Sequence, residues 1–138
     1  MPHKKTTQIH CGRSNDYVHA EIKNGILFIE VVGAPTGPQI EAVIESSLAG
    51  GWIGLAQPCL VDVSRFSGIV DWTAIRAVAN MAKWGPPPGE TGRIAYVVGN
   101  PAIALLVKGA AGFFPRFRHR VFHDRDSALH WLAPAEAA

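Results

Sequence analysis

The chain has 138 residues, 48% of them hydrophobic and 17% charged, which supplies apolar material for one core and suits one domain rather than two. A formal net charge of +2 gives no electrostatic case for a dedicated nucleic-acid protein, which concentrates basic residues on one face. The two cysteines, Cys11 and Cys59, match neither a disulfide framework nor a zinc motif, and a reducing, cytoplasmic setting is the simplest expectation.

Residues 1–16 are polar and read as a flexible leader without a signal peptide. Tyr17 to Ile22 alternates apolar and polar residues, the period of a half-buried strand. Asn24-Gly25 then gives a tight hairpin turn, because both positions tolerate positive φ, and Ile26 to Val32 is the return strand. Thr36 and Gln39 have the spacing of a capping box, with Pro38 in the first turn of a helix that runs to about Leu48 and stops at Gly50-Gly51.

Pro58 to Val63 is almost wholly apolar and suits a central strand covered on both faces, with Asp62 pointing out near its carboxyl end. The loop Ser64 to Gly68 follows. Asp71 is placed to cap a helix from Trp72 to Trp84, which the prolines after Gly85 end. Arg93 to Val98 is another central strand. Asn100-Pro101 is a cap with proline at the first helical position, and the helix Ala102 to Ala111 is apolar nearly all round, with Lys108 its only charge. The apolar run from Pro101 to Pro115 falls short of the ~20 residues that span a bilayer, so no transmembrane segment is expected.

A basic strand, Arg118 to Phe122, and a helix from Arg125 to Leu132 capped by Asp124 complete a domain over residues 17–132, with 133–138 as a tail. The cluster Arg116, Arg118, His119 and Arg120 fits a solvated sheet edge. Strands alternating with helices predict an α/β fold. Its central sheet is mixed and mostly parallel, with an N-terminal antiparallel hairpin and about four helices.

The pattern Asn24-Gly-Ile-Leu-x-Ile-x-Val-x-Gly33, the strands Leu60-Val-Asp-Val-Ser64 and Ile94-Ala-Tyr-Val-Val98, and above all Val121-Phe-x-Asp-x-x-x-Ala-Leu-x-Trp-Leu132 carry a family resemblance. The chain resembles the STAS-like proteins, relatives of the bacterial anti-sigma-factor antagonists. In particular it resembles a small stand-alone branch grouped with both STAS and CRAL-TRIO lipid-transfer domains. The resemblance implies the fold more firmly than a function. In the antagonists, a serine after an aspartate at the start of a helix is phosphorylated. Here Asp71 matches that aspartate and Trp72 stands in place of the serine, leaving Ser67 or Thr73 as the nearby hydroxyls for a phosphate.

The residues propose a crevice of Asp62, Ser64, Ser67, Asp71, Trp72 and Thr73 at the carboxyl end of the central strand, where open α/β sheets bind ligands. Trp52, Trp72, Trp84 and Trp131 could wall an apolar pocket, with Ile75 and Phe113 beside it. His119, His123 and His130 lack a carboxylate at fitting spacing, so neither a metal nor another cofactor is expected. No nucleophile stands with a base, and the expected role is not enzymatic. The leading expectation is a regulatory module that engages a partner protein or small ligand at the crevice. A carrier of a small hydrophobic or lipid-like ligand and a phosphorylation-controlled antagonist are the alternatives. The apolar surface of Leu105, Leu106, Phe113 and Phe114 is the expected interface of a homo-oligomer.

Overall fold

The computed structural model describes residues 8–49, 57–80 and 92–133. Strand β1 (Gln8–Gly12) is followed by β2 (Tyr17–Lys23) and β3 (Ile26–Gly33), then helix α1 (Gly37–Ala49). Strand β4 (Cys59–Phe66) leads to α2 (Trp72–Asn80), β5 (Gly92–Val97) to α3 (Pro101–Ala111), and β6 (Phe117–Phe122) to α4 (Arg125–Leu132). The six strands form one sheet whose spatial order is their chain order. The β1–β2 and β2–β3 pairs are antiparallel and the remaining pairs parallel, so the sheet is mixed as the sequence predicts.

The segment read as a leader contains the first strand. Ile9 and Cys11 of β1 pack against the core while Gln8 and His10 face outward, an alternation too short to stand out against the polar residues around it. The second difference lies in β4, which continues through Ser64 and Arg65 to Phe66, residues read as loop. The register shifts where β4 carries one extra residue between Asp62 and Arg65, opposite Glu30 to Val32 of β3, and the two strands stay paired to Gly33↔Phe66. The expected helix stop at Gly50-Gly51, the residues Trp52 and Trp84 and the end of the second helix lie outside the described residues.

Local signals set the element ends. Asn24 and Gly25 have φ of 51° and 78°, the positive pair that a type I′ hairpin turn requires. At α1 the capping box is complete: the Thr36 amide donates to Gln39 Oε1 at 2.8 Å, and the Gln39 amide donates to Thr36 Oγ1 at 3.3 Å. Asp71, Asn100 and Asp124 accept from the amides of Ala74, Ile103 and Ser127 at 3.0, 3.0 and 2.8 Å.

The sheet is covered unequally. Residues Leu27, Ile29, Cys59, Ile94 and Tyr96 meet Val43 and Ile44 of α1, Val78 of α2 and Val107 of α3 on one face. On the other, Leu60, Ala95 and Val97 meet Ala128 and Leu132 of α4, with Phe28, Phe122, Leu129 and Trp131 packed around them. Strands β4 and β5 are therefore apolar on both faces, which explains their nearly continuous apolar sequence. Thr36→Ala is expected to lower stability by about 1 kcal/mol through loss of the cap. In urea denaturation the midpoint falls at an unchanged slope, and Thr36→Ser restores it.

Candidate functional site

Beneath the three-helix layer lies an apolar cavity of about 210 Å³. Its floor is β3, β4 and β5, with Ile29, Cys59, Val61 and Ile94; its walls come from Ile44 of α1, Val78 of α2 and Val107 of α3. The cause is local. Helix α2 packs on α1 more closely than on the strands, and its buried residues are the short Ala74 and Val78. Side chains of that size leave the space between helix and sheet unfilled.

Among the described lining residues, only Asp71, Cys59 and Tyr96 carry polar side-chain atoms. Asp71 is exposed and is tied to the first turn of α2 through Ala74. Burial pushes the Cys59 thiol up to about 12, which keeps it protonated and unreactive at neutral pH. Tyr96 is 7% exposed. Its phenol is raised well above its ordinary value by burial first and by the neighbouring Cys59 second. Its hydroxyl lies 2.8 Å from His119 Nδ1, and His119 Nε2 lies 2.8 Å from the Phe114 carbonyl oxygen.

The expected crevice divides between the two layers, because successive side chains of β4 point to opposite faces. Asp71 and Trp72 lie on the cavity side, where Trp72 packs on Gly109 and lies 6.3 Å from Phe113 between ring centroids. Asp62 and Ser64 lie on the α4 side. Asp62 does not point out to solvent: it is 7% exposed, accepts the Ser64 amide and hydroxyl at 2.9 and 2.6 Å, and pairs with Arg125 Nε at 2.7 Å. Arg125 also reaches Glu30 at 3.2 Å, and Glu30 accepts the Tyr17 hydroxyl at 3.0 Å. Ser67 and Thr73 are exposed hydroxyl residues in the loop and the first turn of α2.

Of the expected pocket aromatics, Trp131 lies in the α4 layer against Phe122, and Trp72 and Phe113 pack on one another without lining the cavity, whereas Ile75 does line it. The expected interface residues also part company. Leu105 is 68% exposed, Phe113 lies under Arg76, and Leu106 and Phe114 line the cavity. Tyr96 and His119 were not legible as a pair: they lie 23 residues apart, and only the adjacency of β5 and β6 joins them.

No family model and no curated protein sequence matches the chain. Among solved structures it is similar to an uncharacterized protein of the DUF3478 family with a SpoIIAA-like fold from Shewanella loihica PV-4. The two are 19% identical, with 96% of this chain and 99% of that chain covered and a TM-score of 0.58. The chain thus has a SpoIIAA-like fold, the STAS fold that its sequence patterns imply. No helix among the described residues is long and apolar enough to cross a membrane.

The Asp62–Arg125 pair should leave a signature in acid. Burial alone would raise the Asp62 carboxyl, but the Ser64 hydroxyl and amide and the Arg125 guanidinium outweigh it and hold it below its ordinary value. A carboxylate lowered on folding stabilises the protein above its unfolded pKa of about 3.9, and that contribution disappears as pH falls through the lower folded value. Arg125→Ala is expected to cost about 1–2 kcal/mol at neutral pH, less than a fully buried pair because half the guanidinium is in water. Urea denaturation of both proteins from pH 7 downward should show the difference shrinking below about pH 4.

Proposed function

We propose that this protein is a non-enzymatic binding module that holds one small apolar molecule between its sheet and the layer of α1, α2 and α3. The observation that carries this reading is the cavity of about 210 Å³, lined almost entirely by aliphatic side chains. Ligand sites are concave and mostly apolar, with a few placed polar groups, and Tyr96 and Asp71 are such groups here. The cavity opens to solvent at Ile69 and Asp71, and its apolar interior suits a ring system or a short hydrocarbon chain that enters from that side.

Energetics point the same way. The lining is apolar and partly open, so a ligand seated there removes apolar surface from water. A ligand that fills the space recovers contacts which the short side chains of α2 do not make. Carriage of such a ligand deepens the same reading. The Cys59 thiol is kept protonated, which favours binding over covalent chemistry at the cavity floor.

The neutral fluorophore N-phenyl-1-naphthylamine tests the reading. Its emission is expected to rise and saturate at one equivalent, and Val78→Phe, which places a ring in the cavity, is expected to weaken binding at least tenfold with an unchanged far-UV circular dichroism spectrum. Equal binding by the filled variant would overturn the cavity as the site.

A second reading is favoured by Ile69 at the mouth of the cavity, Trp72 on α2 and Leu105 on α3, which are 95%, 40% and 68% exposed. Exposed apolar residues grouped in this way suit a partner protein or a second copy of the chain. In that reading Leu105→Asp converts a dimer to a monomer in analytical ultracentrifugation, and a wild-type protein that sediments as a monomer removes the homodimer.

A further inference from the structure

The cavity holds a second layer of information in the direction of its hydrogen bonds. His119 lies on β6, and its ring lies against Tyr96 with centroids 5.8 Å apart. Its Nε2 stands 2.8 Å from the Phe114 carbonyl oxygen, which can only accept. Nε2 therefore carries the proton and donates. In the neutral ring Nδ1 then holds a lone pair, and the Tyr96 hydroxyl, 2.8 Å away, donates to it.

A ligand that reaches the Tyr96 oxygen would therefore meet an acceptor. The single hydrogen of the Tyr96 hydroxyl is committed to His119, while its oxygen keeps acceptor capacity, and no hydrogen bond donated to that oxygen is found among the described residues. Asp71, the other oxygen-bearing side chain on the lining, is likewise an acceptor in its carboxylate form. The remaining polar atom, the Cys59 sulfur, is at most a weak donor.

We infer that the cavity selects apolar molecules that carry one hydroxyl and rejects those of the same shape that carry a carbonyl or carboxylate, with the Tyr96 oxygen accepting the ligand's hydrogen. The inference rests on the cavity being the binding site. A carbonyl beside Tyr96 would set oxygen lone pairs against one another with no hydrogen between them, leaving a buried acceptor unsatisfied. A carboxylate would also face Asp71.

The test uses three molecules with one carbon skeleton: tetralin, 2-tetralol and 2-tetralone, each titrated against protein loaded with N-phenyl-1-naphthylamine. Tetralol is expected to displace the fluorophore about five- to tenfold more tightly than tetralone, the size of one buried neutral hydrogen bond. In Tyr96→Phe the two should bind within twofold of each other. In His119→Ala the Tyr96 hydrogen is released to donate into the cavity, and tetralone should gain on tetralol. A structural role for Tyr96 and His119 would move all three affinities together and leave the ratio unchanged. Equal binding of alcohol and ketone by the wild-type protein, or a preference that survives in Tyr96→Phe, overturns the inference and leaves the cavity reading standing. Failure of tetralin itself to displace the fluorophore overturns the cavity reading and this inference with it. Should Tyr96→Phe not fold, the wild-type ratio and its change in His119→Ala decide the matter.

Discussion

The rest of this structure depends on the hand of the parallel crossover. Strands β3 to β6 are added in chain order, each crossing over through a helix to the next position in the same direction. Crossovers of this kind are right-handed, so successive ones that advance the same way put their helices on the same face. Helices α1, α2 and α3 therefore share one side, and α4, which follows the last strand and makes no crossover, packs on the other. The opposite face of β1 and β2 is left to polar and aromatic side chains such as His10, Tyr17, His19 and Glu21, beside Glu30 of β3. Both the cavity and the Asp62–Arg125 pair are consequences of this unequal covering.

Three helices abreast must fill the space over a twisted sheet, and the middle one does so poorly. Helices α1 and α3 bury Val43, Ile44 and Val107, while α2 turns Ala74 and Val78 inward and leans on α1. A close-packed interior does not flow to close such a gap. The floor cannot rise to meet α2, because Cys59 and Ile94 belong to strands held by hydrogen bonds on both sides and by α4 from beneath. The void follows from side-chain volumes on one short helix.

What could be read from the sequence was whatever is decided within a few residues. The Asn24-Gly25 turn, the Thr36–Gln39 capping box, the caps at Asp71, Asn100 and Asp124 and the ends of α4 each depend on neighbours three or four positions away, and each is found where the sequence puts it. The first strand escaped notice because two inward residues, Ile9 and Cys11, are too few to make a period, and the end of β4 because an extra residue between Asp62 and Arg65 breaks its alternation while its pairing with β3 continues. The functional features were hidden for a deeper reason. Asp62 and Arg125 are 63 residues apart, and Tyr96 and His119 meet only through strand adjacency. A cavity has no motif at all, since it is a shortage of volume shared among residues from several elements.

The alternation of β4 also separates the α4 side of the sheet from the cavity side. Its residues Leu60, Asp62 and Ser64 serve the α4 side, where Arg125 at the start of α4 ties Asp62 and Glu30 together across two strands. Its residues Cys59, Val61 and Val63 serve the helix layer and form the cavity floor. The floor is thus braced from beneath by charge-assisted hydrogen bonds that the cavity's contents do not touch. The wall opposite is α2, which is attached mainly through α1. Under the proposed binding role, any adjustment would fall on the element with the least packing to lose, which is α2 rather than the sheet or α4.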